Sequence, residues 1–178
     1  MPIKMAVNLS TRQFRQKDIV ESVESILIET GMDPRYLCLE ITEGVSIDQI
    51  DSIILVLHKF KLLGVEVGID DFGMGYSSLS YLKKYPIHFL KIDKCFTQDI
   101  DIDPANRAIT KAIIDLAHDL NLQVTAEGVE TVGQLALLRE LHCDYIQGYW
   151  LSQPLPPEEI ELVFMAKVNN DPYKMERR

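Results

Sequence analysis

The sequence predicts an α/β fold: a parallel sheet curled into a (β/α)₈ TIM-barrel-like wall, here an incomplete barrel of about six βα units. Three observations carry this. Short apolar runs alternate with amphipathic stretches of helical period, the pattern of repeated βα units and a parallel sheet. Each strand ends in a residue that a strand interior excludes: Asn8, Glu40, Asp70 with Asp71, Lys91 with Asp93, Glu127, and Gln147. A doubly wound open sheet, the competing architecture, collects its ligand groups at one switch point, whereas a barrel presents them from nearly every strand end on one rim. The even spread favours the barrel. A full barrel takes ~250 residues, so 178 residues hold six units and leave about two unaccounted for.

The elements follow in order. Lys4–Leu9 reads as a short apolar strand. Asp18–Thr30 reads as a helix with Ile19, Val20, Val23, Ile26 and Leu27 on one face and Gly31 as its stop. Tyr36–Ile41 is the second strand. Ser46 and Gln49 have capping-box spacing ahead of a stripe of Ile50, Ile53, Ile54, Leu57 and Phe60, which Gly64 ends. Val65, Val67 and Ile69 then form a buried strand that stops on two adjacent carboxylates and a glycine turn, Gly73 and Gly75. A short helix near Leu79–Lys84 leads to the strand His88–Ile92. Asp103 caps a helix with Pro104 in its first turn and Ile109, Ala112, Ile113, Leu116 and Leu120 inward. Leu122–Ala126 is the fifth strand. Thr131 and Gln134 form a second capping box before Leu135, Leu138 and Leu141, Asp144–Ile146 is the last strand, and 156–159 starts a closing helix.

Composition narrows the function classes. With 47% hydrophobic residues the chain holds one domain's core, and no apolar run reaches membrane-spanning length. The first residues form neither a signal nor a transit peptide, so a cytoplasmic protein without membrane contact is expected. Cys38, Cys95 and Cys143 are odd in number and widely spaced, which reads as reduced thiols. A net charge of −9 disfavours binding to nucleic-acid polymer. It leaves room for a small anion if cations neutralise both sides.

The rim carries the chemistry. Glu40, Asp70, Asp71 and Glu127, with the Asn8 amide, are hard oxygen donors of the kind that suits Mg²⁺, Mn²⁺ or Ca²⁺. So many acids on one rim repel unless cations or raised pKa values relieve them. Asp70 and Asp71 are placed to hold two ions for in-line phosphodiester hydrolysis, Lys91 to meet developing negative charge, and Glu127 to take a proton from water. Plainer roles stand beside these. Asn8 and Gln147 also fit helix caps, Lys91 with Asp93 fits a rim ion pair, and Glu43 and Glu130 sit where helix dipoles favour acids. The four histidines fall within elements and read as structural or surface groups.

The blocks VNLS (7–10), LEITE (39–43), DDFGMGYSSL (70–79), LKID (90–93), AEGVET (126–131) and QGYWLSQPLP (147–156) resemble the EAL-domain cyclic-di-GMP phosphodiesterases, in order and over nearly the whole chain. The resemblance implies a (β/α)₈-type barrel with one antiparallel strand that cleaves cyclic-di-GMP to pGpG with Mg²⁺ or Mn²⁺, two ions included. It implies one metal on Asn8, Glu40 and Asp70 and a second addressed by Asp70, Asp71 and Glu127, with Glu127 also the candidate base. Lys91 would contact the nucleophilic water, Asp93 and Gln147 would support the rim, and Glu43 would steady the loop Asp71–Ser78, which in this family also serves dimerisation and regulation.

Two departures bear on activity. The Glu-Ala-Leu signature and the arginine that follows it, a metal ligand and a phosphate grip in the family, are absent from these residues. Met74 stands where the family carries a small or hydroxylated residue. The expectation is therefore a partial EAL domain over 1–168 with a polar tail at 169–178, weak alone, and either self-associating or completed by an N-terminal segment. A degenerate EAL module that binds nucleotide or protein without turnover is the alternative. From residues alone an enolase-like barrel also places acids and a lysine on strand ends, but it leaves the AEGVET and DDFG blocks unexplained.

Overall fold

A computed structural model describes residues 3–43, 50–75 and 82–161. Its six strands are β1 (Met5–Asn8), β2 (Leu37–Thr42), β3 (Glu66–Phe72), β4 (Phe89–Ile92), β5 (Gln123–Ala126) and β6 (Tyr145–Ile146). Its helices are α1 (Thr11–Phe14), α2 (Ile19–Thr30), α3 (Ile50–Leu63), α4 (Lys94–Thr97), α5 (Pro104–Asp119) and α6 (Val132–Glu140). A short 3₁₀ turn, Pro34–Tyr36, precedes β2, and 157–161 is helical.

The strands lie side by side in chain order, and each neighbouring pair is parallel. A doubly wound sheet reverses direction part-way, whereas this order advances one strand at a time, as barrel walls do. Register sorts the two faces. Leu39, Val67, Ile69, Leu90 and Val124 align on one face and are buried at 0–3% exposure, under the helices. The other face carries Cys38, Glu40, Glu66, Lys91 and Thr125, so it is the polar inner wall. Gly68 has no side chain there because the Phe89 ring occupies the space, and a Cβ would meet that ring at 2.2 Å.

Local chemistry explains the element ends. Gly31 closes α2 in the left-handed region at φ 67°, and Gly64 follows α3 at φ 85°. Asp103 accepts the Ala105 N–H to cap α5, and Thr131 with Gln134 forms a complete capping box on α6. α1, unforeseen, has a capping box of its own from Ser10 and Gln13. The Ser46–Gln49 box, the helix near Leu79–Lys84 apart from Leu82 onward, and the tail at 169–178 lie outside the described residues.

Three inward assignments differ from expectation. Ile26 of α2 is 58% exposed, because the buried stripe runs through Ile19, Val20 and Leu27. In α5 the packed face is Thr110, Ile113, Ile114 and Ala117, leaving Ile109 and Ala112 outside. Thr110 is drawn inward by its hydroxyl, which donates to the Phe96 carbonyl at 3.2 Å and rotates the stripe. β1 is exposed throughout although Met5 and Val7 are apolar, since it pairs on one edge only among the described residues.

Candidate active site

The C-terminal ends of β2, β3, β4 and β5 converge on one ammonium. Lys91 Nζ lies 2.9 Å from Glu40 Oε2, 3.1 Å from Asp70 Oδ1 and 2.6 Å from Glu127 Oε1. Alternation along neighbouring strands does this: Glu40 stands opposite Gly68, two residues before Asp70, and Lys91 stands opposite Thr125, two before Glu127. Burial works to lower the Lys91 pKa, but the bonds and charges of Glu127 and Glu40 outweigh it and hold the ammonium above its ordinary range.

Asp71 is turned into the same cluster by local backbone. The β3–β4 register shifts between Ile69 and Phe72, and Asp71 adopts φ 53°. Regular alternation would send Asp70 and Asp71 to opposite faces, and such an irregularity re-aims one of them. Ligand oxygens of Asp70, Asp71 and Glu127 consequently lie within 4.8 Å of one another. Burial, then the Asp70 and Asp93 charges, push the Asp71 pKa up. Burial likewise raises Glu127, with Asp70 and Asp71 adding to it against the pull of Lys91.

Asp93 does not pair with Lys91. Its carboxylate caps α4, accepting the Cys95 N–H at 2.8 Å, and shares a hydrogen bond with the Asp71 carboxyl. Burial acts to raise Asp93, and the hydrogen bonds from Cys95 and Asp71 hold it low instead, while Asp71 is pushed the other way. Glu43 sits just past β2 and accepts the backbone N–H groups of Gly73 and Gly75 at 2.9 Å each. Its side chain is packed so closely that a Cβ on Gly75 would meet the carboxyl carbon at 2.9 Å. Met74, between the two glycines, touches the Cys95 thiol at 3.3 Å. Asn8 stands beside Glu40 in register with its side chain exposed. Gln147 is exposed after β6, its backbone held by Ala126 and Val129, and Glu130 is exposed ahead of α6 with its N–H on Gln134.

Thr97 and Gln134 support Glu127 from behind, which the sequence did not disclose. The fully buried Thr97 hydroxyl donates to the Glu127 carbonyl, and Gln134 bridges the Thr97 and Gln98 carbonyls at 3.1 and 2.6 Å. Gln134 was legible as a capping residue, but its second bond set spans α4 and α6 and has no local signal.

The donor set fits a divalent cation. It is all oxygen, and one ammonium against three carboxylates leaves the centre negative. Oxygens within 4.8 Å of one another can share an ion whose metal–oxygen distances are ~2.0–2.6 Å.

Residues 1–154 match the sequence model of the EAL domain. The chain belongs to the EAL domain family. Signaling protein YkoW of Bacillus subtilis is 46% identical over 159 residues, 89% of this chain and 20% of that protein. The bifunctional diguanylate cyclase/cyclic di-GMP phosphodiesterase MucR of Pseudomonas aeruginosa is 42% identical over 156 residues, 88% of this chain and 23% of that one. The chain thus spans about a fifth of the length of these relatives. Among solved EAL structures, a PaMucR phosphodiesterase–c-di-GMP complex superposes with TM-score 0.84 at 41% identity, covering 88% of this chain and 64% of that one. Klebsiella pneumoniae BlrP1 in a manganese/cy-diGMP complex superposes with TM-score 0.78 at 32% identity, covering 85% and 39%. The parallel half-barrel described above is the corresponding part of the EAL barrel.

Proposed function

We propose that this EAL domain hydrolyses cyclic-di-GMP to linear pGpG with Mg²⁺ or Mn²⁺. The observation that carries the reading is the Lys91 ammonium bonded to Glu40, Asp70 and Glu127 on successive strand ends, with Asp71 turned in beside them. In this reading Asn8, Glu40 and Asp70 would hold one ion, and Asp70, Asp71 and Glu127 would hold the second. Ions held there would supply Lewis acidity toward the phosphate. Glu127, whose pKa burial has raised, takes the proton from a water that attacks phosphorus as the P–O3′ bond breaks, and the leaving O3′ takes a proton from solvent to become the hydroxyl of the linear product. Lys91 meets the charge that develops on the phosphoryl oxygens. Glu43 fixes the backbone of the loop that follows Asp71, while Asp93 shares a hydrogen bond with Asp71 and Gln147 and Glu130 flank the rim.

The test is chromatographic detection of pGpG from cyclic-di-GMP with Mg²⁺ or Mn²⁺, with chelator and with Glu127→Gln. Metal-dependent turnover that the variant abolishes supports the reading, and its absence in a complete EAL domain carrying these residues removes it. A module that binds without turnover is the second reading.

The domain is assigned to 1–168, with 169–178 as a polar tail, in a cytoplasmic protein. Among the described residues no helix is long and apolar enough to cross a membrane. Association is proposed from β1, whose Met5 and Val7 are 57% and 44% exposed on a strand that pairs on one side only among the described residues. A homo-oligomer, or an N-terminal segment laid on that edge, would cover them. A monomer by light scattering at high micromolar concentration removes the first option.

A further inference from the structure

A cavity of about 490 Å³ lies at the opposite end of the sheet from the carboxylate rim. It is walled by Lys61 of α3, by Glu66 at the start of β3, by 82–83 and 85–88 ahead of β4, and by 120–123 leading into β5. Glu66 and Asp70 begin and end the same strand, so the cavity stands ~13 Å from the rim at ~3.3 Å per residue.

Its charge runs against that of the chain. The protein carries −9, yet neither Lys61 nor Lys83 takes part in an ion pair among the described residues. Glu66, the one carboxylate among the described lining residues, is already matched by Lys4 at 2.6 Å. His88 accepts the Val67 N–H on Nδ1 at 3.1 Å, which places the hydrogen of the neutral ring on Nε2. Burial lowers the His88 pKa, and the Lys61 and Lys4 charges add to this, while the Glu66 charge and the Val67 hydrogen bond act against it. Two ammoniums without an ion pair among the described residues and an imidazole thus share one concavity with the half-buried apolar surfaces of Tyr85, Pro86 and Leu120.

We propose that this cavity binds a phosphorylated small molecule, with its phosphate on Lys61, Lys83 and His88 and its uncharged body against Tyr85 and Pro86. Two lysines match a phosphate dianion, and charge-assisted bonds to phosphate are the strong ones. The site is separate from the proposed catalytic rim and does not depend on turnover there.

The test follows amide shifts of the whole chain by NMR during titration with inorganic phosphate, then phenyl phosphate, against sodium chloride at matched ionic strength. Shifts centred on Lys61, His88 and Asn121 that saturate with phosphate and not with chloride are expected. Lys61→Gln with Lys83→Gln should weaken binding by ~10-fold or more, with an unchanged melting temperature because both side chains are exposed. Phenyl phosphate should bind several-fold tighter than phosphate. Chloride reproducing the shifts, shifts confined to Glu40, Lys91 and Glu127, or equal binding by the double variant would overturn the site. Phenyl phosphate binding no tighter than phosphate would overturn the assignment of an ester body to the apolar walls.

Discussion

Lys91 Nζ and Glu127 Oε1 meet at 2.6 Å at the ends of neighbouring strands, and this pair ties β4 to the segment after β5. Lys91 is buried and Glu127 half-buried, and the same ammonium also serves Glu40 and Asp70. Removing it strands three acids together.

Lys91→Met is therefore expected to destabilise the metal-free protein by ~3–5 kcal/mol, the cost of leaving a buried charge unpaired. Divalent metal should restore more stability to this variant than to the wild type, since the ion replaces the missing positive charge. Urea unfolding with and without Mn²⁺ reads both effects. Equal unfolding midpoints for the two proteins without metal would contradict the central role given to Lys91.

Manganese or magnesium should raise the melting temperature of the unaltered chain. At one hundred times its dissociation constant an ion stabilises by ~2.7 kcal/mol, or about 5–11 °C for a chain of this size at ~2–4 °C per kcal/mol. Asp70→Asn removes the carboxylate shared by both proposed ions and should cut that gain. Thermal scans across millimolar metal decide it, and an identical response in the variant counts against the site.

Glu43 holds two backbone N–H groups of one loop. Glu43→Gln gives up the charge on the acceptor, and bonds to charged groups contribute ~1.5–3 kcal/mol. Hydrogen exchange at the Gly73 and Gly75 amides should accelerate by ~10-fold or more, and turnover should fall with it because Asp71 leads into that loop. Unchanged exchange at both glycines would show that the loop is held by something else.

The Cys143 thiol stands between the two last strands, directed toward the Val124 carbonyl of β5 at 3.6 Å and the Tyr145 carbonyl of β6 at 3.2 Å, and burial pushes its pKa up to about 12. An unfolded cysteine ionises near ~8.5. Between those values the folded chain keeps a proton that the unfolded chain has lost, so stability falls as pH rises through this window. Cys143→Ala should flatten the decline by up to ~1.4 kcal/mol per pH unit. Cys38 and Cys95, both about 11, keep part of the slope in the variant. Urea midpoints from pH 7.5 to 10.5, with parallel slopes in both proteins, would refute it.

The 178 residues contain no Glu-Ala-Leu. We propose that turnover by these 178 residues assayed alone lies at least ~10³-fold below that of a complete EAL domain, as the loss of a phosphate contact and of positioning would produce. Assay within a complete EAL barrel, fused or in trans, should restore much of it, and Glu127→Ala should abolish what is restored. Robust hydrolysis by the 178 residues unaided would overturn this expectation.

Much was fixed by composition and order. Alternating apolar runs and helical stripes named six strands, and the polar residue ending each strand named Glu40, Asp70, Asp71, Lys91 and Glu127 as neighbours on one rim. Capping boxes at Thr131 and a Pro104 start were readable because they act within one turn. The α5 face was misread by one position, because the bond from Thr110 to the Phe96 carbonyl comes from a separate helix and overrides local periodicity.

Tertiary structure decided the partnerships. Sequence spacing left Lys91 and Asp93 as plausible partners. Strand register instead put Lys91 among Glu40, Asp70 and Glu127, and Asp93 went to the α4 cap. The same holds for Asp71: period-two alternation sends it away from Asp70, and only the register shift against β4 with its positive φ brings it back. A chain specifies locally which groups stand at a strand end, because pattern and propensity act over a few residues. Which of those groups meet depends on pairing between strands far apart in sequence, and that is settled only when the sheet forms.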